Sequence, residues 1–372
     1  SQWDSVLLCG KSKLKDNLIM QHSPITRVIQ REWQRMTSRR LYFGVCLVLP
    51  LFTLFFMATI FGNGQMENIP IGIVDQDNTA SSRAIARNIS AVPTFKVTRH
   101  FVNEEAARKA VQKKEIYGYL SIPPKFEQDA ISGKNATLSY YYHYALLSVG
   151  GELMAAFETS LAPVSLSPIV MQAVALGVEQ DKITTFLLPV QASNHPIYNP
   201  SLDYSVYLSQ PFFFVLFQVL ILLITVYAVG IEIKFRTADE WLFVAKGNMV
   251  TAVLGKLLPY TIIFILIGWL ANYVMFGILH IPFQGSWLLM NMLTALFVVA
   301  TQALGLFLFS LFPAISLIIS IVSMVGSLGA TLSCVTFPVT NMYPLVRDAS
   351  YLFPVRHFTE MMQNMLYGGS GF

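Results

Sequence analysis

Between residues 257 and 346 the chain carries not one Asp, Glu, Lys or Arg. A water-facing domain does not go that long without charge, because about a quarter of its residues are ordinarily ionic. Stacked membrane helices do, since every charge placed in hydrocarbon costs a few kcal/mol. Composition agrees: 12% of residues are charged, 54% are hydrophobic, and mean hydropathy is +0.54. Five apolar runs stand out, at 41–61, 207–231, 257–279, 287–312 and 314–335. A helix of ~20 residues crosses a ~30 Å hydrocarbon core. The fold class expected is therefore an α-helical integral membrane protein with five visible spans.

Charge placement sets the expected topology. Lys11, Lys13, Lys15, Arg27, Arg31, Arg35, Arg39 and Arg40 all precede the first run, so the N-terminal segment 1–40 is expected on the cytoplasmic side. The connection with Glu232, Lys234, Arg236, Lys246 and Lys256 is basic, and alternation places it on that side too. Just before the first span, Ile25, Val28, Ile29, Trp33 and Met36 form one helical stripe. Arg27, Gln30, Arg31, Gln34 and Arg35 lie opposite. An Arg-rich amphipathic helix in that position is expected in the headgroup layer, in contact with membrane lipids. Ile25, Arg27, Arg31, Trp33 and Arg35 are its candidate interfacial residues.

The long polar region 65–204 is then extracytoplasmic, with a fold of its own. Runs 69–75, 95–98, 116–122 and 137–144 read as strands. They alternate with helices at 79–91, after Asn103, and after Pro123-Pro124, which points to an α/β layer with a small, mostly parallel sheet. From 150 to 188 a helical segment, interrupted near Pro163 and Pro168, is expected to return the chain to the membrane. Beyond the fifth run, 336–372 reads as short extracytoplasmic or re-entrant helices, punctuated by Phe337-Pro338, Tyr343-Pro344 and Phe353-Pro354.

Several classes are disfavoured. No G-x-x-x-x-G-K-[ST] phosphate loop is present, so a nucleotide would have to be handled by another chain. The six His are scattered without metal-binding spacing, and Cys9, Cys46 and Cys334 suggest neither a disulfide nor a metal framework. No metal site is expected, nor any catalytic constellation. Asp75 and Asp77 read as a turn and helix cap rather than a ligand site. Basic residues do not interleave with aromatics, so nucleic acid is not an expected partner. The spans contain no carboxylate or His of the sort ion-driven carriers keep on their path. Their polar content is mild: Asn272, Asn291, Thr301 and Gln302, with a row of Ser316, Ser320, Ser323 and Ser327. These are candidates for helix packing or a translocation path.

Four segments, in order, are similar to one family. They are IPIGIVDQDNTASSRAI (69–85), GYLSIPPKF (118–126), Tyr198-Asn199-Pro200 followed by Gln210-Pro211, and Glu232 and Thr237 with LGKLLP (254–259). Together they resemble the permease subunits of type-2 ABC transporters that carry a large extracytoplasmic domain between the first and second spans. Two departures are visible. Arg236 stands where that family usually has Gly before the loop Thr. The family's sixth span is absent, so a continuation beyond Phe372 is expected.

The resemblance implies an ATP-driven exporter in a bacterial inner membrane, moving an amphiphilic, drug-like or envelope substrate. ATP and Mg would be used by a separate cytoplasmic ATPase, no cofactor being bound by this chain. A second permease copy or paralogue is an implied partner, and a periplasmic or envelope adaptor a further one. The segment 232–256 would be the coupling loop, through Glu232, Lys234, Arg236, Thr237, Asp239, Glu240 and Trp241. The chain would not itself be catalytic. The alternative is a membrane-anchored receptor whose external domain binds a ligand without transport.

Overall fold

The computed structural model describes residues 23–38, 40–60, 66–132, 136–175, 208–333, 335 and 337–368. Cys9, Cys334, Arg39, the Tyr198-Asn199-Pro200 motif and the return segment beyond residue 175 lie outside them. The chain divides into two compact units: one of 1–64 with 203–372, the other of 65–202.

The first unit is helical. Helix α1 (Pro24–Ser38) precedes α2 (Arg40–Ile60). After the second unit follow α7 (Gln210–Lys234), α8 (Ala238–Val244), α9 (Met249–Asn272, continued by a π turn Tyr273–Ile278), α10 (Trp287–Leu311) and α11 (Ile315–Thr331). Two short helices, α12 (Pro344–Ser350) and α13 (Pro354–Gln363), close it. Four helices are long and apolar enough to cross a membrane: Tyr42–Ile60, Gln210–Lys234, Met249–Ile278 and Trp287–Leu311. The fifth run forms a helix of only 17 residues, about 25 Å at 1.5 Å per residue, which is short of a ~30 Å core. Pro313 and the broken backbone after Thr331 trim it at both ends.

Helix α7 is the axis of this unit. Two-thirds of it is buried (67%), against 17% of α2. Phe214 sits at the centre, its ring 4.2 Å from Phe358 of α13 and 5.8 Å from Phe297 of α10. Val355, Phe358, Thr359 and Met362 turn α13 into the bundle, and Gln218 Oε1 accepts its Val355 N–H at 2.9 Å. Val48, Phe52, Phe55 and Phe56 of α2 are exposed, a face that costs nothing against lipid tails.

The second unit carries β1 (Ile69–Asp75), α3 (Ala80–Ser90), β2 (Phe95–Phe101), α4 (Glu104–Gln112), β3 (Gly118–Ile122), α5 (Phe126–Ile131), β4 (Ser139–Tyr142) and α6 (Leu147–Ala175). Strand order is β2-β1-β3-β4, with β1 parallel to β2 and β3, and β4 antiparallel to β3. The four strands fall where the alternation of apolar runs and turns predicts them. Strand β1 is central and covered on both faces, which is why IPIGIVD is almost unbroken apolar sequence. Ile85 and Ile89 of α3 and Phe157 of α6 pack one face, and Ala107 and Ala110 of α4 pack the other. Helix α6 runs unbroken through Pro163 and Pro168, where sequence reasoning expects an interruption. A proline removes one backbone donor and bends a helix more often than it must end one.

Candidate functional site

The end of α7 is where local chemistry places charge inside the bundle. Its last turn closes with Thr237 N–H donating to the Glu232 carbonyl at 2.9 Å and Arg236 N–H to that of Ile233 at 3.2 Å. This is the pairing of a helix terminated by a left-handed residue. That residue is Arg236, at φ 56°, the position where the family resemblance implies Gly. The turn forms all the same, and Thr237 Oγ1 donates to the Glu232 carboxylate.

Glu232 is fully buried and receives four more donors. Arg31 reaches both oxygens, at 2.8 and 3.2 Å, Arg35 donates to Oε1, and Lys256 Nζ stands 2.7 Å from Oε1. Lys256, also fully buried, bridges to Glu32 Oε2 at 2.5 Å. Glu32 Oε1 accepts from Tyr260 at 2.6 Å, and the Tyr260 hydroxyl accepts from Tyr42 at 2.6 Å. Trp241 of α8 covers the assembly, its ring centroid 5.5 Å from Lys256 Nζ. The Trp241 indole N–H donates to the Ala252 carbonyl at 3.1 Å. Three cations and two carboxylates from α1, α7 and α9 thus form one chain of charge-assisted bonds.

The backbone is shaped for this. A Cβ on Gly255 would lie 2.8 Å from Val28 Cβ and 3.2 Å from the Ile25 carbonyl oxygen, so only glycine lets α1 approach α9 next to Lys256. The face α1 presents is Val28, Glu32 and Met36, one residue per turn. Trp33, a candidate interfacial residue, is 48% exposed, off the face that α1 buries against α9. The Glu32–Lys256 contact fixes the rotation of α1, and Trp33 falls to the side. Arg31 and Arg35, expected on the polar face, turn instead to Glu232. Ile25 and Arg27 are half-buried.

The segment 232–256 is mostly helix rather than loop. Glu232 and Lys234 belong to α7 and Lys256 to α9, so the charge-free stretches of sequence end in buried charge. Asp239, Glu240 and Trp241 lie on α8, with Thr237 just before it. Glu232 and Trp241 point inward, whereas Lys234, Arg236, Asp239 and Glu240 are exposed. Phe243, which sequence reasoning passes over, is 84% exposed. Glu32, Tyr42 and Tyr260 are missed as well. The available signal is a carboxylate in an i, i+4 line with Val28 and Met36.

A second polar assembly occupies the other ends of α7 and α9. Asn272 Nδ2 donates to Thr294 Oγ1 at 2.9 Å and Asn291 Oδ1 at 3.1 Å, while Gln210 Nε2 approaches Asn272 Oδ1 at 3.4 Å. Gln302 accepts from Thr261 at 2.7 Å, and buried Thr301 stands apart from both groups. Ser320, Ser323 and Ser327 are exposed, each bonded back to its own helix at 3.3, 2.8 and 2.8 Å. Gly326 faces α7 instead, with Val219 2.8 Å from where a Cβ would sit. Among the described residues no group of His, Cys, Asp and Glu is arranged to hold a metal.

Comparison with known proteins bears on this arrangement. A family model described as "ABC-2 family transporter protein" matches residues 40–372. The chain is 22% identical over 333 residues to the probable multidrug ABC transporter permease YbhS of Escherichia coli K12, covering 88% of this chain and 84% of that protein. It is 21% identical over 327 residues to the inner membrane transport permease YhhJ of the same organism, covering 83% and 79%. No solved structure matches.

Proposed function

The chain belongs to the ABC-2 transporter family, and on that premise we propose that it is the permease subunit of an ATP-driven exporter. Permeases of this family work with a cytoplasmic ATPase, and the charge cluster behind α8 is the observation that carries the reading. In this reading α8 docks on the ATPase. Phe243 is the apolar knob, and Asp239 and Glu240 line the first turn beside it. Glu232 and Trp241 serve as anchors rather than contacts. Because Glu232 and Lys256 tie α1, α7 and α9 together, a displacement of α8 moves three helices at once.

In the same reading the N-terminus and α8 face the cytoplasm, residues 65–204 lie outside, and α1 rests in the headgroup layer. The open face of α11, with Ser320, Ser323 and Ser327, suits a second permease copy, because small residues allow close helix approach. The charge-free middle stretches of α7, α9 and α10 suit an amphiphilic or drug-like substrate, in keeping with the printed description of YbhS as a multidrug permease.

The test is ATPase activity of this chain co-purified with its ATPase. Phe243→Ala is expected to lower permease-dependent hydrolysis at least tenfold while leaving the thermal stability of the isolated permease unchanged. Hydrolysis indifferent to Phe243 would remove α8 as the coupling element.

A further inference from the structure

The second unit holds a cleft of about 780 Å³ whose lining includes Asp75, Asn78, Arg83, Arg87, His100 and Val102. It opens at the carboxyl ends of the parallel strands β1 and β2, beneath α3. Its size falls within the ~300–1,000 Å³ of small-molecule sites.

The charges around it do not cancel. Asp75 is the one carboxylate in the lining, and its oxygens are already engaged. Oδ1 accepts the N–H groups of Asp77 and Asn78, both at 3.0 Å, and Oδ2 accepts from Ser82 at 2.7 Å. Asp77 is likewise engaged, by the Thr79 hydroxyl at 2.6 Å and the Glu127 N–H at 3.1 Å. The two aspartates thus build the turn, as their spacing predicts, and leave the cations unanswered. Arg83 and Arg87 stand one turn apart on α3. Arg83 donates to the Asn78 carbonyl at 2.8 Å, which holds its guanidinium at the rim. Arg87 and His100 form no ion pair among the described residues. On β2, by contrast, Arg99 is paired with Glu115 at 2.8 Å.

We propose that this cleft binds a phosphate-bearing anion, gripped by Arg83 and Arg87, with any apolar portion resting on Val102. Two guanidinium groups a turn apart match the several oxygens of a phosphate. Val102, 88% exposed at the end of β2, supplies an apolar rim that a bare ion would not use. The phosphate comes either from a lipid headgroup or from a soluble ion.

The experiment uses the full chain in neutral detergent, titrated by thermophoresis with inorganic phosphate, dihexanoylphosphatidylglycerol and zwitterionic dihexanoylphosphatidylcholine. The expected result is saturable binding of the anionic probes, weakened at least tenfold by Arg83→Gln/Arg87→Gln and unchanged by Arg99→Gln. Arg87→Glu, at an exposed position with no ion pair among the described residues, gives the same loss should the double variant fold poorly. Tighter binding of phosphatidylglycerol than of phosphate assigns the headgroup, and equal binding assigns the soluble ion. Absence of saturation with both anionic probes overturns the proposal. So does a loss in Arg99→Gln equal to that in the double variant.

Discussion

Helices α7 and α9 are joined at both ends, and by different chemistry. At one end Glu232 and Lys256 are fully buried and bonded to each other and to Arg31, Arg35 and Glu32 of α1. At the other, Gln210 and Asn272 are neutral and joined by one long contact of 3.4 Å, with Gln210 Oε1 unpartnered among the described residues. Between them Gln218 Nε2 and Thr225 Oγ1 on α7, with Thr301 Oγ1 and Gln302 Nε2 on α10, are buried without a partner among the described residues as well. A charged group in a low-dielectric interior has one good arrangement, because any other strands it. A neutral amide has several of nearly equal energy. The charged end is thus built to stay together, and the amide end to exchange partners. In the proposed coupling through α8, the charged end is the one that keeps α1, α7 and α9 together.

The largest expected effect lies at the charged end. Glu232→Gln leaves buried Lys256 with Glu32 alone and strands Arg31 and Arg35, and breaking a buried pair costs about 3–5 kcal/mol. A large drop in the thermal midpoint of the purified permease is expected. Lys256→Met added to Glu232→Gln costs less than the sum of the two, since the stranded cation is gone. Strict additivity would mean the two groups are not coupled. At the amide end Asn272→Leu removes three contacts in one step, yet hydrogen bonds between membrane helices average only ~0.6 kcal/mol. The expected loss there is about 1–2 kcal/mol, read by the same melting experiment. An Asn272 loss as large as that at Glu232 would erase the distinction between the ends.

Which parts of this were legible in sequence follows from how each signal is carried. The membrane helices announce themselves by composition, and the strands of the second unit by short apolar runs between caps such as Thr79 and Asn103, both of which accept backbone N–H bonds three residues on. The cluster does not announce itself. Glu32 sits among Arg31, Trp33, Gln34 and Arg35, and an inward carboxylate there looks like any solvated one. Glu232 and Lys256 bound the apolar runs, where topology reasoning places water-facing charge. Their partner is 24 residues away in one case and more than 200 in the other, a separation no local pattern encodes. Gly255 is the nearest thing to a clue, since a glycine inside a helix marks a close approach. The amide network lies between these extremes: Asn272 and Asn291 stand out as polar in an apolar run, but their meeting with Gln210 and Thr294 requires the packing of three helices.

The smallest effect tests whether the turn that closes the charged end is itself strained. Arg236 closes α7 at φ 56°, a conformation costing a side chain about 1–2 kcal/mol. Lys246 does the same at the end of α8, also at φ 56°, where Gly247 N–H donates to the Leu242 carbonyl at 2.9 Å. Glycine relieves that cost but adds freedom to the unfolded chain, worth roughly 0.4–1 kcal/mol in the other direction. Arg236→Gly is therefore expected to raise the thermal midpoint slightly, and Lys246→Gly by a similar amount. Should both rise together while ATPase stimulation falls only with Arg236→Gly, the arginine is kept at a strained position for what its exposed side chain meets. A fall in stability at Arg236 alone would show instead that its side chain steadies the Glu232 turn, extending the rigid end of the lever one residue beyond α7.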